Sequence, residues 1–216
     1  MRFQVSGDPH PWPREENAPS SACAVIVVDM QHDFCSPGYY IDQAGYDVAR
    51  LREPIEPVRR VLAVARSAGL QVVYTRHGNV SEPVAGSYPG TAMRGEPGWE
   101  IVPELSPDDG DLVVEKSTAG AFASSDLDAI LRARRIKHLA LCGNTIDVCV
   151  HSTLRGANDL GYDCLLLADC CGAVNEGLHR WSVESVRIEN GVFGTVANAR
   201  GFIDAFPRST TTPPPP

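Results

Sequence analysis

Cys149 stands where a cysteine can become a nucleophile. An apolar run over residues 138–142 ends at Gly143, a short polar turn follows, and Cys149 opens a segment with helical spacing (Val150, Leu154, Ala157, Leu160). A thiol at a strand-to-helix junction lies in the field of the helix N-terminus, which favours the thiolate and offers backbone N–H groups to an oxyanion. Two ionisable residues stand in comparable places. Asp29 ends the run CAVIVVD, and Lys116 ends LVVEK. A carboxylate that can carry a proton and an ammonium that can hold charge suit acyl transfer through a thiol. Taken singly, each residue has a plainer reading: a buried structural thiol, an aspartate capping its turn, a solvated lysine. Their common place at the carboxyl ends of predicted strands favours chemistry, because open α/β sheets build their sites there.

The elements that must position these residues alternate between strand and helix. Residues 23–28 form an all-apolar strand candidate. Ile55, Val58, Val61, Leu62 and Ala65 predict a helix over 54–68, with Pro54 in its first turn and Gly69 as its stop. Strands follow at 70–75, 112–114, 138–142 and 164–167. Helices are expected from the Ser125 cap to Arg134, after Cys149, at 176–189 and near 198–205, with a short strand at 192–196. Such alternation implies a doubly wound, mostly parallel sheet with helices on both faces. The Gly/Pro-rich stretch 77–110 is longer than a simple connection, as loops that cap a site are. Residues 1–20 form an N-terminal arm, 21–206 a single domain, and 207–216 a Pro/Thr-rich low-complexity tail.

Composition narrows the class. The 216 residues carry 19 Lys+Arg against 27 Asp+Glu, a net charge of −8, which disfavours nucleic acid and anionic membranes as partners. No apolar run approaches the roughly 20 residues of a membrane span, and the polar N-terminus has no signal core. A cytoplasmic location is therefore expected. Seven cysteines (23, 35, 142, 149, 164, 170, 171) are an odd number without framework spacing, so most should be buried small hydrophobes. Cys170 and Cys171 end a strand and could line a pocket without reacting.

These segments together resemble the isochorismatase-like cysteine hydrolases, a family that includes nicotinamidases, ureidoacrylate hydrolases and biuret hydrolases. The resemblance covers roughly residues 8–206 and rests on VVDMQHDF (27–34), EKSTAGAFASSDLDAILRARRIKHLALCG (115–143) and the Cys149 segment. YDVARLREPIEPVRRVLA (46–63), RGEPGWEIVPEL (94–105) and GVFGTVANA (191–199) are closest to the biuret hydrolase subgroup. The resemblance implies the isochorismatase-like fold and a Cys149–Asp29–Lys116 triad. Asp29 would exchange the proton, and Lys116 would hold the pair ionised. It also implies a cis peptide between Asn144 and Thr145 that aims the Thr145 amide, with that of Cys149, at the oxyanion. Ile146 departs from the family's usual threonine, which removes a side-chain hydrogen bond from that turn.

The same resemblance bears on metal and substrate. Nicotinamidase-like members carry an Asp-x-His pair and a further histidine after the second strand. TRHGN offers His77 alone, so neither a metal nor another cofactor is expected. Phe34, Trp99, Ala119 and Glu189 are the expected substrate contacts. The biuret subgroup has lysine and glutamine where Ala119 and Glu189 stand, so a more negative pocket follows, suited to a cationic, donor-rich group. The implied activity is hydrolysis of a C–N amide or ureido bond through a thioester, in a biuret-, ureido- or guanylurea-like compound. An amide or lactam of a cationic natural product, as in the related streptothricin hydrolases, is the alternative. A catalytically inactive binding protein on the same fold is the competing class. Vinyl-ether cleavage, as in isochorismatases proper, ranks low, because those proteins usually have aspartate or glycine where Cys149 stands. The apolar C-terminal third (Trp181, Val183, Val186, Ile188, Val192, Phe193) predicts a homodimer or homotetramer.

Overall fold

A computed structural model describes residues 3–79 and 92–206 of the chain. Its centre is a six-stranded, all-parallel sheet of β1 (Cys23–Val28), β2 (Gln71–His77), β3 (Leu112–Lys116), β4 (His138–Gly143), β5 (Asp163–Cys171) and β6 (Thr195–Ala197). The strand order is β3-β2-β1-β4-β5-β6, so the direction of winding reverses between β1 and β4. Those two strands are buried along their whole length, which is why they read as unbroken apolar runs rather than alternating ones.

Three short helices that lack a sequence period follow β1: α1 (His32–Cys35), α2 (Tyr40–Gln43) and α3 (Val48–Arg52). The longer helices are α4 (Ile55–Ser67), α5 (Leu127–Ala133), α6 (His151–Asp159), α7 (Glu176–Gly191) and α8 (Ala199–Asp204). Right-handed crossovers that move in opposite directions along the sheet fall on opposite faces. This places α4 on one face, where α8 packs against it, and α5, α6 and α7 on the other. α4 buries Val58, Val61, Leu62 and Ala65, the stripe its spacing predicts.

Several boundaries differ from expectation for local reasons. α5 starts at Leu127, not at Ser125, although the Ser125 hydroxyl still accepts the Leu127 N–H at 3.2 Å. The last strand starts at Thr195 because Gly191 and Gly194 have φ of +79° and +145°, which keeps Val192 and Phe193 in a turn. The described part of the N-terminal arm, residues 3–19, packs on the domain. Phe3, Val5 and Trp12 are buried in the core, and the Trp12 indole donates to the Asp163 carbonyl. Asp8 pairs antiparallel with Val196, so the arm covers the exposed edge of β6. The tail 207–216 lies outside the described residues, as do 80–91 of the long loop. The described part of that loop, 92–105, packs on the segment after β1 through Val102 N–H to Met30 O and His32 N–H to Glu100 O.

Candidate active site

The carboxyl ends of β1 and β4 diverge at the winding reversal, and a crevice opens there as in other doubly wound sheets. Asp29 follows β1 directly and is fully buried. Its backbone lies in the left-handed region, φ 48°, a conformation that aspartate tolerates better than most residues. The Asp29 N–H donates to Thr75 O at 3.2 Å, and the Asp29 carbonyl accepts from Gln31 N–H at 2.8 Å. Across the sheet, Lys116 ends β3 in register with His77 of β2. It too is fully buried, and its Nζ lies 2.7 Å from Asp29 Oδ2.

Its ammonium donates to the carbonyls of Thr118 (2.8 Å) and Ala119 (3.0 Å), which leaves one further proton beside Asp29 and Cys149. Burial opposes the lysine's charge, but Asp29 and Cys149 outweigh it and hold Lys116 above the ordinary lysine value. Asp29 Oδ1 accepts from the Thr75 hydroxyl at 2.7 Å. Cys149 lies within hydrogen-bonding reach of both ions. Burial, then the Asp29 charge, raise its thiol against the pull of Lys116, so the resting side chain is a thiol. The helix-terminus field alone does not make a thiolate here, because the surroundings are dry and carry an anion.

The turn that delivers Cys149 is built from close approaches. Gly143 has φ +119°, and a Cβ there would lie 2.1 Å from Val28 O; at Gly172 a Cβ would lie 2.2 Å from Asn144 Oδ1. The Asn144–Thr145 peptide is cis, as the resemblance implies. A turn of π-helix over Ile146–Val150 then leads into α6. With isoleucine at 146 the turn is held by Ile146 N–H, which donates to Gly172 O at 2.8 Å, and by the Asn144 side chain, whose Nδ2 donates to Leu51 O at 2.8 Å.

A cavity of about 200 Å³ opens on Cys149. Among the described residues it is lined by Phe34, Tyr40, Ile41, Tyr46, Asn144, Thr145, Asp147, Val148, Val174 and Leu178. Of the four expected contacts Phe34 lines this cavity, and the other three side chains do not. Trp99 sits under the Arg76 guanidinium, 3.4 Å from its ring centre, and serves as a loop anchor away from the cavity. Ala119 contributes its carbonyl to Lys116 rather than a side chain to the cavity. Glu189 is exposed at a kink of α7 (φ 49°, ψ 44°), several helical turns beyond Leu178, which lines the cavity from the same helix. Cys170 and Cys171 are buried away from the cavity lining.

Three positioning residues escaped the sequence reading. Gln31 donates to His77 O (2.9 Å) and Trp99 O (2.7 Å) and accepts from His77 N–H (2.7 Å), so it ties three segments behind Asp29. Thr75 holds the carboxylate, and His77 Nδ1 lies 3.5 Å from Lys116 Nζ. Burial, then Lys116, hold the His77 imidazole below its ordinary value and hence neutral. The cue for all three was adjacency: two residues after Asp29, or level with Val28 and Lys116 on β2. Among the described residues no cluster of His, Cys, Asp and Glu is arranged to hold a metal, and no helix is long and apolar enough to cross a membrane.

A buried acid–lysine pair thus lies beside a cavity-facing thiol at the switch point of a parallel sheet. The chain belongs to the isochorismatase family, whose domain model matches residues 23–200. It is similar to the ureidoacrylate amidohydrolase RutB of Variovorax paradoxus, 35% identical over 217 residues that cover 88% of this chain and 84% of that protein. Among solved structures, a cysteine hydrolase from Pseudomonas syringae superposes with a TM-score of 0.71 at 27% identity, covering 94% of this chain and 98% of that one. N-carbamoylsarcosine amidase from Thermoplasma acidophilum does so with a TM-score of 0.69 at 27% identity, covering 82% and 96%.

Proposed function

We propose that the protein is a cysteine amidohydrolase that cleaves a C–N bond of a small ureido or amide compound through a thioester. The observation that carries this reading is the buried Asp29–Lys116 pair within reach of the cavity-facing Cys149. Asp29 takes the thiol proton as Sγ attacks the carbonyl carbon, so the thiolate exists only when it is used. The Thr145 and Cys149 amides are the proposed donors to the oxyanion; the neighbouring Ile146, Val148 and Val150 amides are spent on the Gly172 and Thr145 carbonyls. Asp29 then protonates the leaving nitrogen, ammonia or an amine departs, and a water deprotonated by Asp29 opens the thioester. Lys116 holds charge on this proton-carrying pair throughout.

The names of the relatives, ureidoacrylate amidohydrolase and N-carbamoylsarcosine amidase, support a ureido group as the bond cleaved. Biuret and guanylurea are members of that class. Ammonia release should be measured from biuret, ureidoacrylate, nicotinamide and guanylurea, and ring opening of streptothricin-like lactams by the gain of one water in mass spectrometry. Cys149→Ala is expected to abolish turnover, and Cys170→Ala and Cys171→Ala to keep most of it. Activity that survives in Cys149→Ala would refute the mechanism, and a binding protein would release nothing from any compound.

A further inference from the structure

The charge of the cavity wall separates one class of ureido compound from another. Its ionisable side chains, apart from Cys149, are Asp147 and the phenols of Tyr40 and Tyr46; no lysine, arginine or histidine lines it among the described residues. The undescribed stretch 80–91 (VSEPVAGSYPGT) holds no basic residue either, so it cannot add one. The cations of the surrounding elements are engaged elsewhere: Arg155, whose charge acts on His151 together with that of Asp147, donates to the His151 ring and lies over Phe193. Lys116 is committed to Asp29 and two carbonyls, Arg52 to Glu104 and the Cys35 carbonyl, and Arg50 to Asp47 and Glu176. Asp147 stands two residues before Cys149 on the same π-turn and lines the cavity as a partly buried side chain, and its Oδ1 has no hydrogen-bond partner. A cavity-lining carboxylate with unmet acceptor capacity attracts donors and cations, and it repels an anion brought into the same small space.

We infer that the cavity selects ureas and amides whose far end is neutral or cationic over those that end in a carboxylate, and that Asp147 sets this preference. The inference rests on the amidohydrolase reading and narrows its substrate class. A ureido acid would have to bury its carboxylate beside Asp147 with no cation to receive it. An ammonium or amidinium end would gain a charge-assisted hydrogen bond at the same position. The aromatic and aliphatic remainder of the wall packs against an uncharged stem, and the Tyr40 and Tyr46 rings can face a cation.

Three ureas of matched size test this: N-(2-aminoethyl)urea, N-(2-hydroxyethyl)urea and N-carbamoylglycine, which end in an ammonium, a hydroxyl and a carboxylate. Occupancy is read from protection of Cys149 against iodoacetamide, which needs no turnover, and kcat/KM is read in parallel from ammonia release. The ammonium urea should protect at concentrations at least about tenfold lower than the carboxylate urea, with the hydroxyl compound between them. Asp147→Asn should bring the two charged ureas within about threefold of each other, chiefly by weakening the ammonium one. Equal or stronger protection by N-carbamoylglycine overturns the inference. So does protection by none of the three, or an unchanged ratio in a folded Asp147→Asn. Protection in the expected order without ammonia from any compound would uphold the specificity and overturn the amidohydrolase reading instead.

Discussion

The Asp29–Lys116 pair makes a prediction that stability and activity answer separately. Both side chains are fully buried, with 2.7 Å between their charges. Lys116→Met leaves the Asp29 carboxylate with only the Thr75 hydroxyl on Oδ1, and it orphans the carbonyls of Thr118 and Ala119. Removing one partner of a buried pair costs about 3–5 kcal/mol, because the other charge is left uncompensated. Asp29→Asn leaves the ammonium on those two carbonyls, so its cost should fall near about 3 kcal/mol. Were the two losses independent, the double variant would lose about 6–8 kcal/mol. Since no buried charge then remains, the expected loss is only about 3–4 kcal/mol, a coupling of about 3 kcal/mol.

Equilibrium urea denaturation of the four proteins measures the cycle, and each 1 kcal/mol should also appear as roughly 2–4 °C in melting temperature for a chain of this size. All three variants should be inert, since the proton carrier or the charge that supports it is gone. The double variant would thus recover stability without recovering activity. Losses that add to within about 0.5 kcal/mol would show that the pair is not coupled. Turnover retained by Lys116→Met would remove it from the mechanism.

Three further outcomes are expected. Burial first, then Lys116 for His77 and Arg155 for His151, hold both imidazoles below the ordinary value of 6.5. The unfolded chain therefore binds more protons just below pH 6.5, and stability should be full above that pH and fall as the solution is acidified, by at most about 1.4 kcal/mol per pH unit for each group. His151 Nδ1 accepts from Arg155 Nε at 2.9 Å, a bond that protonation there breaks, so His151→Gln should flatten the decline; an unchanged slope in urea titrations would contradict this. Prolonged chelator treatment should leave activity unaltered, and loss of a stoichiometric metal together with activity would overturn the metal-free mechanism. Finally, α7 and its neighbours expose Trp181 (58%), Ile188, Val192 and Leu160, whereas Val186 of the same apolar segment is buried. A homodimer or homotetramer that covers this stripe is expected, and a monomer by light scattering at micromolar concentration would refute it.

Much of the scaffold is legible along the chain because its signals are local. β1 and β4 announce themselves as apolar runs since both of their faces are covered, and α4 shows its buried stripe through spacing alone. The short helices after β1 carry no such signal. They exist because they pack beneath the 92–105 segment and around the cavity, where Phe34, Tyr40 and Ile41 become its wall. The kink in α7 is likewise silent in its composition. It lies at Ile188–Asn190, beside Gly191, where a Cβ would come within 2.9 Å of Pro9, and Glu189 is on the surface there.

By itself, the sequence determined the order of the main strands and helices, the two ionisable residues that end strands, Asp29 and Lys116, and the cysteine that follows a third strand, Cys149. That much follows from periodicity and from where the apolar runs stop. Only the tertiary structure decided which of them meet. The winding reversal brings Asp29 and Cys149 together from strands more than a hundred residues apart, and the β2–β3 register sets His77 beside Lys116. The tertiary structure also replaced one carboxylate with another at the cavity, Asp147 for Glu189. Whether a side chain faces a pocket depends on helix length, kinks and neighbouring loops that no local pattern records. The state of the Cys149 thiol was decided there as well, because burial and the Asp29 charge outweigh the field of the turn that carries it.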